Sequence, residues 1–345
     1  MSVISLDIGH SAVKVAADDK QFLFPTAAAL ATDLTVAEAR SAAKADTVTL
    51  GDKTYFVGET AVTHTGDSVL DGLSDDWIHT EEHLALMKSG YERALQATGD
   101  ASADVVLGLP SRLFGAQSKD LASLASQWLQ VPPNKIKVLP QALGAFMAMM
   151  LDENGEPIDG ASPQSETWGV IDIGFYTADY GMIVNGVWSE AGARSSEGAS
   201  AIVGTIQTTI QQKHGIPLTL RQCDEVLRTK ALKLYGKVEN YSDVVESACA
   251  SYARNVIEAA QKVFGSRLPT MDGILVAGGA AALVYPHIKK LWPHAKVSAS
   301  PRFTVAEGMR RYVLMVQSVQ SAQSDTQAAN SGKKRGAAVE KAATA

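Results

Sequence analysis

The chain opens with the stretch Val3-Ile4-Ser5-Leu6-Asp7-Ile8-Gly9-His10-Ser11-Ala12-Val13-Lys14. Near its middle it repeats the pattern as Gly169-Val170-Ile171-Asp172-Ile173-Gly174-Phe175-Tyr176-Thr177-Ala178-Asp179. Each copy is a short apolar run, then Asp-Ile-Gly, then a second apolar stretch. A charged residue follows each aspartate at the same offset, Lys14 in the first copy and Asp179 in the second. The pattern predicts strand–turn–strand units. Neither copy is a Walker-type loop, because a strand and not a helix follows the glycine.

Length and composition indicate a two-domain globular chain. The 345 residues exceed what one hydrophobic core usually holds, and 46% of them are hydrophobic. The net charge of −6 disfavours nonspecific nucleic-acid binding. We expect no signal peptide, no membrane span and a cytoplasmic location, because the sequence shows no basic leader and no apolar run of spanning length. Cys223 and Cys249 are expected to be buried free thiols.

Alternating strand and helix patterns in both halves predict an α/β fold. We expect domain I over 1–165, with a small inserted lobe at about 26–75, domain II over 166–320 with a C-terminal helix, and a disordered tail over 321–345. Thr47–Leu50 and Lys53–Val57 read as a hairpin. The predicted helices are Thr80–Gln96, Lys119–Leu129, Gln141–Leu151, Ala199–Lys213, Arg221–Lys230, Ser242–Val263, Ala280–Leu291 and Val305–Val319.

The two acidic turns suggest chemistry with phosphate and a metal ion. A carboxylate at the tip of a buried strand suits the water shell of Mg²⁺, so Asp7 and Asp172 are candidate ligands through water. Gly9 and Gly174 would let the main chain approach a phosphate, and Lys14 could meet it as a point charge. One copy alone would favour an ordinary Asp-Gly turn; two copies make a nucleotide site the better interpretation.

Other candidates have structural alternatives. Gly278-Gly279 could pack flat against a base or could serve only as a helix entry. Gln141, at the start of a buried helix, could orient a water or could bond to backbone. The segment His79-Thr80-Glu81-Glu82-His83 matches the H-x-x-E-H motif of zinc proteases, but a simple helix start at Thr80 is favoured.

Taken together, these residues resemble the actin/sugar-kinase/heat-shock-chaperone ATPase superfamily. Its five elements can be placed in order: two phosphate loops at Asp7–Lys14 and Asp172–Asp179, connecting helices at Pro140–Ala145 and Ala306–Gly308, and an adenosine motif at Val276–Ala281. Within the superfamily the chain is similar to the ParM/StbA actin-like proteins of plasmid segregation. The similarity rests on Asp75-Asp76-Trp77 with the helix after it and on Val105–Pro110.

The resemblance implies an actin-like ATPase fold with two duplicated α/β domains flanking a nucleotide cleft. It implies ATP and Mg²⁺ as cofactors, with Gln141, Asp172 and Asp7 as catalytic residues. It further implies that the chain forms filaments with itself and moves plasmid DNA through an adaptor protein bound to a centromere-like site. We expect neither direct sequence-specific DNA binding nor a membrane partner. The implied cofactor-binding residues are Gly9, His10, Ser11, Ala12, Lys14, Gly174, Phe175, Tyr176, Thr177, Glu197, Gly198, Gly278, Gly279 and Ala280.

The sequence departs from the group at one position and leaves two alternatives open. ParM-type proteins often have Glu where this chain has Gln141, which favours orientation of water by an amide over general-base help. A small-molecule kinase of the same superfamily would need a catalytic aspartate, for which no clear candidate is found. A membrane-associated shape or division protein would often carry an amphipathic anchor, and neither terminus shows one.

Overall fold

The fold is built on two large sheets with helices packed around and between them. The structure is a computed structural model that describes residues 2–65, 75–162, 164–189, 192–321 and 323. The strands are β1 Val3–Ile8, β2 Ala12–Ala17, β3 Lys20–Pro25, β4 Ala28–Leu30, β5 Thr47–Leu50, β6 Lys53–Val57, β7 Asp104–Leu109, β8 Ile136–Pro140, β9 Trp168–Ile173, β10 Thr177–Val184, β11 Val187–Trp188, β12 Arg194–Glu197, β13 Ala231–Leu234, β14 Lys237–Asn240, β15 Gly273–Ala277 and β16 Ala295–Val297. The helices are α1 Ala37–Ala43, α2 Gly58–Thr65, α3 Glu81–Thr98, α4 Ser111–Leu129, α5 Gln141–Met150, α6 Ser200–His214, α7 Leu220–Thr229, α8 Ser242–Phe264, α9 Ala281–Leu291 and α10 over 304–321.

Both large sheets have the same topology. In the first, the strand order is β3-β2-β1-β7-β8, with β1 antiparallel to β2 and parallel to β7. In the second, the order is β11-β10-β9-β15-β16, with β9 antiparallel to β10 and parallel to β15. This repetition confirms the predicted fold class, two duplicated α/β halves. The apolar runs of β1 and β9 form central strands because such strands are covered on both faces.

Helices α5 and α10 cross between the two sheets. Gly144 and Gly308 meet at the crossing, where a Cβ on Gly308 would overlap the Gly144 carbonyl oxygen. Arg311 on α10 donates to the carbonyls of Ala148 (3.0 Å) and Leu151 (2.6 Å), which satisfies groups at the open C-terminal end of α5. The crossing therefore joins the halves through backbone contact as well as through side chains.

Two smaller units project from this frame. The three-stranded sheet β4-β6-β5 packs with α1 and α2, and ion pairs tie it to α3: Lys53–Glu81 at 2.7 Å and Arg93–Asp46 at 2.7 Å. The hairpin β13–β14 lies between α7 and α8. In the part of the chain that the structure describes, no helix is long and apolar enough to cross a membrane.

Several boundaries differ from the prediction. Helix α4 begins at Ser111 and not at Lys119, because its first turns carry polar residues that hid the pattern. The strands β3, β4, β12, β13, β14 and β16 were not predicted, since most of them are short or polar. The helix start at Thr80 is confirmed: its side chain accepts a hydrogen bond from the backbone of His83 at 3.2 Å. Most of the tail predicted over 321–345 lies outside the described residues.

Candidate functional site

The two acidic turns have the same local geometry. The Gly9 N–H donates to the Ala12 carbonyl at 3.2 Å, and the Gly174 N–H donates to the Thr177 carbonyl at 2.9 Å. Asp7 pairs with Lys14 across β1 and β2, just as Asp172 pairs with Asp179 across β9 and β10. The repeat in the sequence is therefore a repeat in three dimensions.

Asp7 is held from two directions. The residue is buried, with only 2% of its surface exposed to solvent. Lys14 Nζ lies 2.9 Å from one carboxylate oxygen, and Gln141 Nε2 donates to the other at 2.8 Å. Gln141 begins α5, so the turn of the first half contacts the helix that leads to the second half. The predicted neighbours Asp7, Lys14 and Gln141 thus come together.

Asp172 lies close enough to Asp7 for the two carboxylates to repel. Burial and then this repulsion raise the pKa of Asp172 to about 7, although Lys14 acts in the opposite direction. Burial alone would lower the pKa of Lys14, but the attraction of Asp7, with a smaller one from Asp172, raises it above its usual value. Lys14 Nζ pairs with the Asp7 carboxylate, and a further cation beside Asp172 would relieve the repulsion between the two carboxylates.

The donor set suits Mg²⁺ better than zinc. Among the residues whose placement is described, no three His, Cys, Asp or Glu side chains form a metal cluster. Mg²⁺ needs no such cage, because it commonly takes one or two carboxylates together with waters and phosphates. The zinc alternative also fails on geometry. His79 lies in a 3-10 helix before α3, and its Nδ1 bonds Asp76 at 2.7 Å, so it does not share a helical face with His83.

Asp179 is a buried carboxylate behind the second turn. Thr177 Oγ1 donates to it at 2.9 Å, and the Ser195 hydroxyl donates to its other oxygen. Burial raises its pKa even though both hydroxyls favour the charged form. Sequence analysis noted Asp179 only as the charged residue that follows Asp172, and it did not find Ser195, which lies on the polar strand β12.

The predicted glycines serve close packing around the second turn. The Gly198 N–H donates to the Tyr176 carbonyl at 2.8 Å, and a Cβ at Gly198 would lie 2.6 Å from the Phe175 carbonyl oxygen. Gly278 has a φ of +93°, and a Cβ there would overlap the Asp172 carboxylate. Only Gly279 of this group faces open space. A side chain at position 278 would therefore clash with the end of β9.

The remaining predicted residues flank these contacts. The Ala280 N–H donates to the Ile173 carbonyl at 3.2 Å, and the Glu197 carbonyl accepts from Tyr252 Oη at 2.9 Å. Both interactions fix backbone at the end of the second sheet that carries the turn. The Ser11 carbonyl accepts from the Thr26 N–H at 3.3 Å, and the Thr26 hydroxyl donates to Gly9. Thr26, which sequence analysis missed, therefore fixes the first turn.

Aromatic rings join the two turns. The ring of His10 lies 5.1 Å from that of Trp77 and 6.0 Å from that of Tyr176, between ring centroids. His83 stacks edge-on against Trp77 at 4.9 Å. Burial lowers the pKa of His10 to about 4 and that of His83 to about 3. The first turn thus touches the second through a neutral imidazole.

We expect the substitution His83→Asn to weaken the acid sensitivity of the fold. The unfolded chain protonates His83 near pH 6.5 and the folded chain only near 3, so stability is lost as pH falls below about 6.5. Between pH 6.5 and 5.0 the free energy of unfolding of the native chain should fall about 2 kcal/mol more than that of the variant. Urea denaturation at both pH values measures this, and the variant His287→Asn, at an exposed histidine of α9, is the control. Equal pH dependence in the native chain and His83→Asn would contradict the prediction.

Family models match both halves of the chain. The model described as actin like proteins, N terminal domain, matches residues 5–144, and the model described as archaeal actin homologue MreB-like, C-terminal, matches residues 170–290. Each match contains one acidic turn on the central strand of its sheet. The chain belongs to the actin-like proteins.

Solved structures share the fold of this actin-like protein. A ParM filament of 15 strands from Clostridium botulinum matches with a TM-score of 0.73 and 19% identity, covering 90% of this chain and 98% of that chain. A non-polymerisable quadruple mutant of pCBH ParM matches with a TM-score of 0.72 and 21% identity, with the same coverage. An archaeal actin homologue in complex with ADP matches with a TM-score of 0.67, 18% identity and again the same coverage. No curated protein matches the chain in sequence.

Proposed function

We propose that this actin-like protein binds ATP with Mg²⁺ between its two acidic turns and hydrolyses it. The observation that carries the proposal is that Asp7 and Asp172 lie at equivalent positions near the ends of the central strands of two duplicated sheets, close enough to repel, with Lys14 paired to Asp7. The structure of an archaeal actin homologue with a similar fold was solved in complex with ADP, which supports a nucleotide as the ligand. When bound, Mg²⁺ would neutralise charge on the terminal phosphates, with Asp7 and Asp172 holding it through water.

The residues of the chain would then act mainly by positioning. The backbone of 9–12 and of 174–177 would cradle the phosphates, and Lys14 would place an ammonium group beside them. Gln141 would orient the attacking water, because an amide can donate to Asp7 and still accept from water. Asp179, held by two hydroxyls behind the turn, would add negative charge beside Asp172 and so favour a cation there.

The substitution Gln141→Ala should lower the rate of ATP hydrolysis about a hundredfold while leaving nucleotide affinity within about threefold. The amide orients a reactant, whereas the phosphates are bound mainly by backbone and Lys14. Single-turnover phosphate release measures the rate, and a fluorescent ATP analogue measures affinity. The exposed Gln127→Ala on α4 is the control. A native rate in Gln141→Ala would contradict the assigned role.

We further propose that ATP drives assembly of the chain into filaments in the cytoplasm, and that an adaptor protein links these filaments to a plasmid centromere-like DNA site. The similarity to ParM structures, one of them a filament, supports this proposal. The net charge of −6 agrees with contact to DNA through an adaptor and not directly. Light scattering and electron microscopy with ATP test the filament. Hydrolysis without polymer, stimulated by a small hydroxyl compound, would instead indicate a kinase.

A further inference from the structure

An exposed hairpin carries apolar and basic side chains at one end of the second half. It comprises residues 231–240, the strands β13 and β14, and is called the basic hairpin here. Tyr235 is 93% exposed and Val238 is 70% exposed. Lys233 and Lys237 are exposed too, and neither makes an ion pair within the described part of the chain.

The turn of the basic hairpin is strained in a way its own contacts do not explain. Tyr235 has a φ of +49° and Gly236 a φ of +85°, as a two-residue turn of this type requires. Asparagine, aspartate or glycine is favoured at the first position, and a bulky residue there is unfavourable. A large aromatic side chain held in this conformation and left in solvent indicates a contact outside the chain.

A second surface has the opposite charge. Residues 152–160, which follow α5 and are called the acidic loop here, contain four acidic and no basic residues. Glu153, Glu156 and Asp159 are exposed, and Ile158 between them is 41% exposed. The loop is well anchored: a Cβ at Gly155 would lie 2.7 Å from the Arg311 carbonyl oxygen on α10. It therefore presents a fixed apolar and acidic surface.

The two surfaces lie at opposite ends of the second half, and helix α8 shows how far the basic hairpin lies from the turns. Tyr252 bonds the Glu197 carbonyl at the turn end of the sheet, and the Phe264 ring contacts Gly169 at the other end. The ten helical steps from Ser242 to Tyr252 extend about 15 Å beyond the turn end, and the basic hairpin lies at the start of this helix. The acidic loop follows α5, which runs about 15 Å away from the turns towards the start of β9.

We propose that the basic hairpin of one copy docks on the acidic loop of a second copy, head to tail. Tyr235 and Val238 would pack against Ile158, while Lys233 and Lys237 would face Glu153 and Asp159. Such a contact joins two different surfaces at opposite ends of the chain, so each added copy leaves a free surface for the next copy. Unless the rotation between copies closes them into a ring, the same contact repeats and builds a filament. This inference rests on the proposed filament function and names the surfaces that make it.

Charge reversal on each surface tests the contact. The hairpin variant is Lys233→Glu with Lys237→Glu, and the loop variant is Glu153→Lys with Asp159→Lys. Each alone should raise the critical concentration for ATP-dependent pelleting at least about tenfold, because like charges then face each other. Combining all four changes in one chain, or mixing the two variants in equal amounts, should restore pelleting, because every contact again pairs opposite charges.

Controls separate this proposal from the function on which it rests. Binding of a fluorescent ATP analogue should be native in all variants, and the exposed pair Lys119→Glu with Lys290→Glu should pellet normally. Native pelleting in both charge variants, or no recovery in the combined chain, would overturn the contact alone. A native chain that binds nucleotide but never pellets would overturn both the filament and the contact.

A cysteine pair gives an independent measurement. Cys223 and Cys249 are buried, so Ile158→Cys and Val238→Cys would add the reactive thiols. With a short bifunctional maleimide and ATP, a chain carrying both should give a ladder of oligomers, and a mixture of the two single variants should give dimers. Polymer without any such cross-link would overturn the proposed docking.

Discussion

Replacing Asp172 with Asn is expected to lower Mg²⁺-dependent ATP hydrolysis about a thousandfold. The substitution keeps the size of the side chain but removes one of the two carboxylates that face Lys14. It also removes the carboxyl group whose pKa is raised to about 7 by burial and then by repulsion from Asp7. Phosphate release at saturating ATP and Mg²⁺ measures the loss, and titration of Mg²⁺ shows whether a weaker metal affinity accounts for it.

The exposed carboxylate Asp120 on α4 provides the matched control. Asp120→Asn makes the same chemical change far from the turns and should hydrolyse ATP at the native rate. Cells whose plasmid depends on the chain should lose that plasmid with Asp172→Asn if hydrolysis drives segregation. A native rate of hydrolysis in Asp172→Asn would refute the site as proposed.

Replacing Gly308 with Ala is expected to destabilise the fold by about 3 kcal/mol. The added methyl group would overlap the carbonyl oxygen of Gly144 and lie 2.6 Å from the Ala148 nitrogen. These are backbone atoms of α5, so relief requires the two crossing helices to separate. The crossing also joins the two halves, and nucleotide affinity should therefore fall together with stability. Urea denaturation followed by circular dichroism measures the change.

Gly204 on α6 is the control for this substitution. A Cβ there would meet no atom within 4 Å, so Gly204→Ala should raise stability by about 0.5–1 kcal/mol through the higher helix propensity of alanine. The two substitutions are chemically identical and differ only in the space around them. Equal stability of the two variants would show that the helices are not in close contact at Gly308.

Local patterns in the sequence were sufficient for much of the fold. The two turns, their flanking strands and the helix start at Thr80 depend on residues within a few positions of each other. Such elements are predictable because backbone conformation and capping act over short distances. Strands with few apolar residues were missed: β12 is Arg-Ser-Ser-Glu, and β14 is Lys-Val-Glu-Asn. Their pairing is set by a neighbouring strand and not by their own composition.

The sequence also indicated the candidate site but not all of its contacts. It identified Asp7, Lys14, Asp172 and Gln141 by pattern and resemblance. It gave no sign that Ser195 would hold Asp179, or that Arg302 would lie near enough to Lys14 to oppose the rise in its pKa that Asp7 causes. Nor did it show that the Asp172 carboxylate and the backbone of Ile173 fill the space where a Cβ of Gly278 would lie.

The amino-acid sequence by itself determined two strand–turn–strand units with an aspartate at each tip, because alternation, glycine and charge act on neighbouring residues. Only the tertiary structure decided that these tips meet, that Gln141 reaches Asp7 across 134 positions, and that a basic hairpin and an acidic loop lie at opposite ends. Those relations depend on how two sheets and two crossing helices bury their apolar faces together, a property of the whole chain and of no single segment.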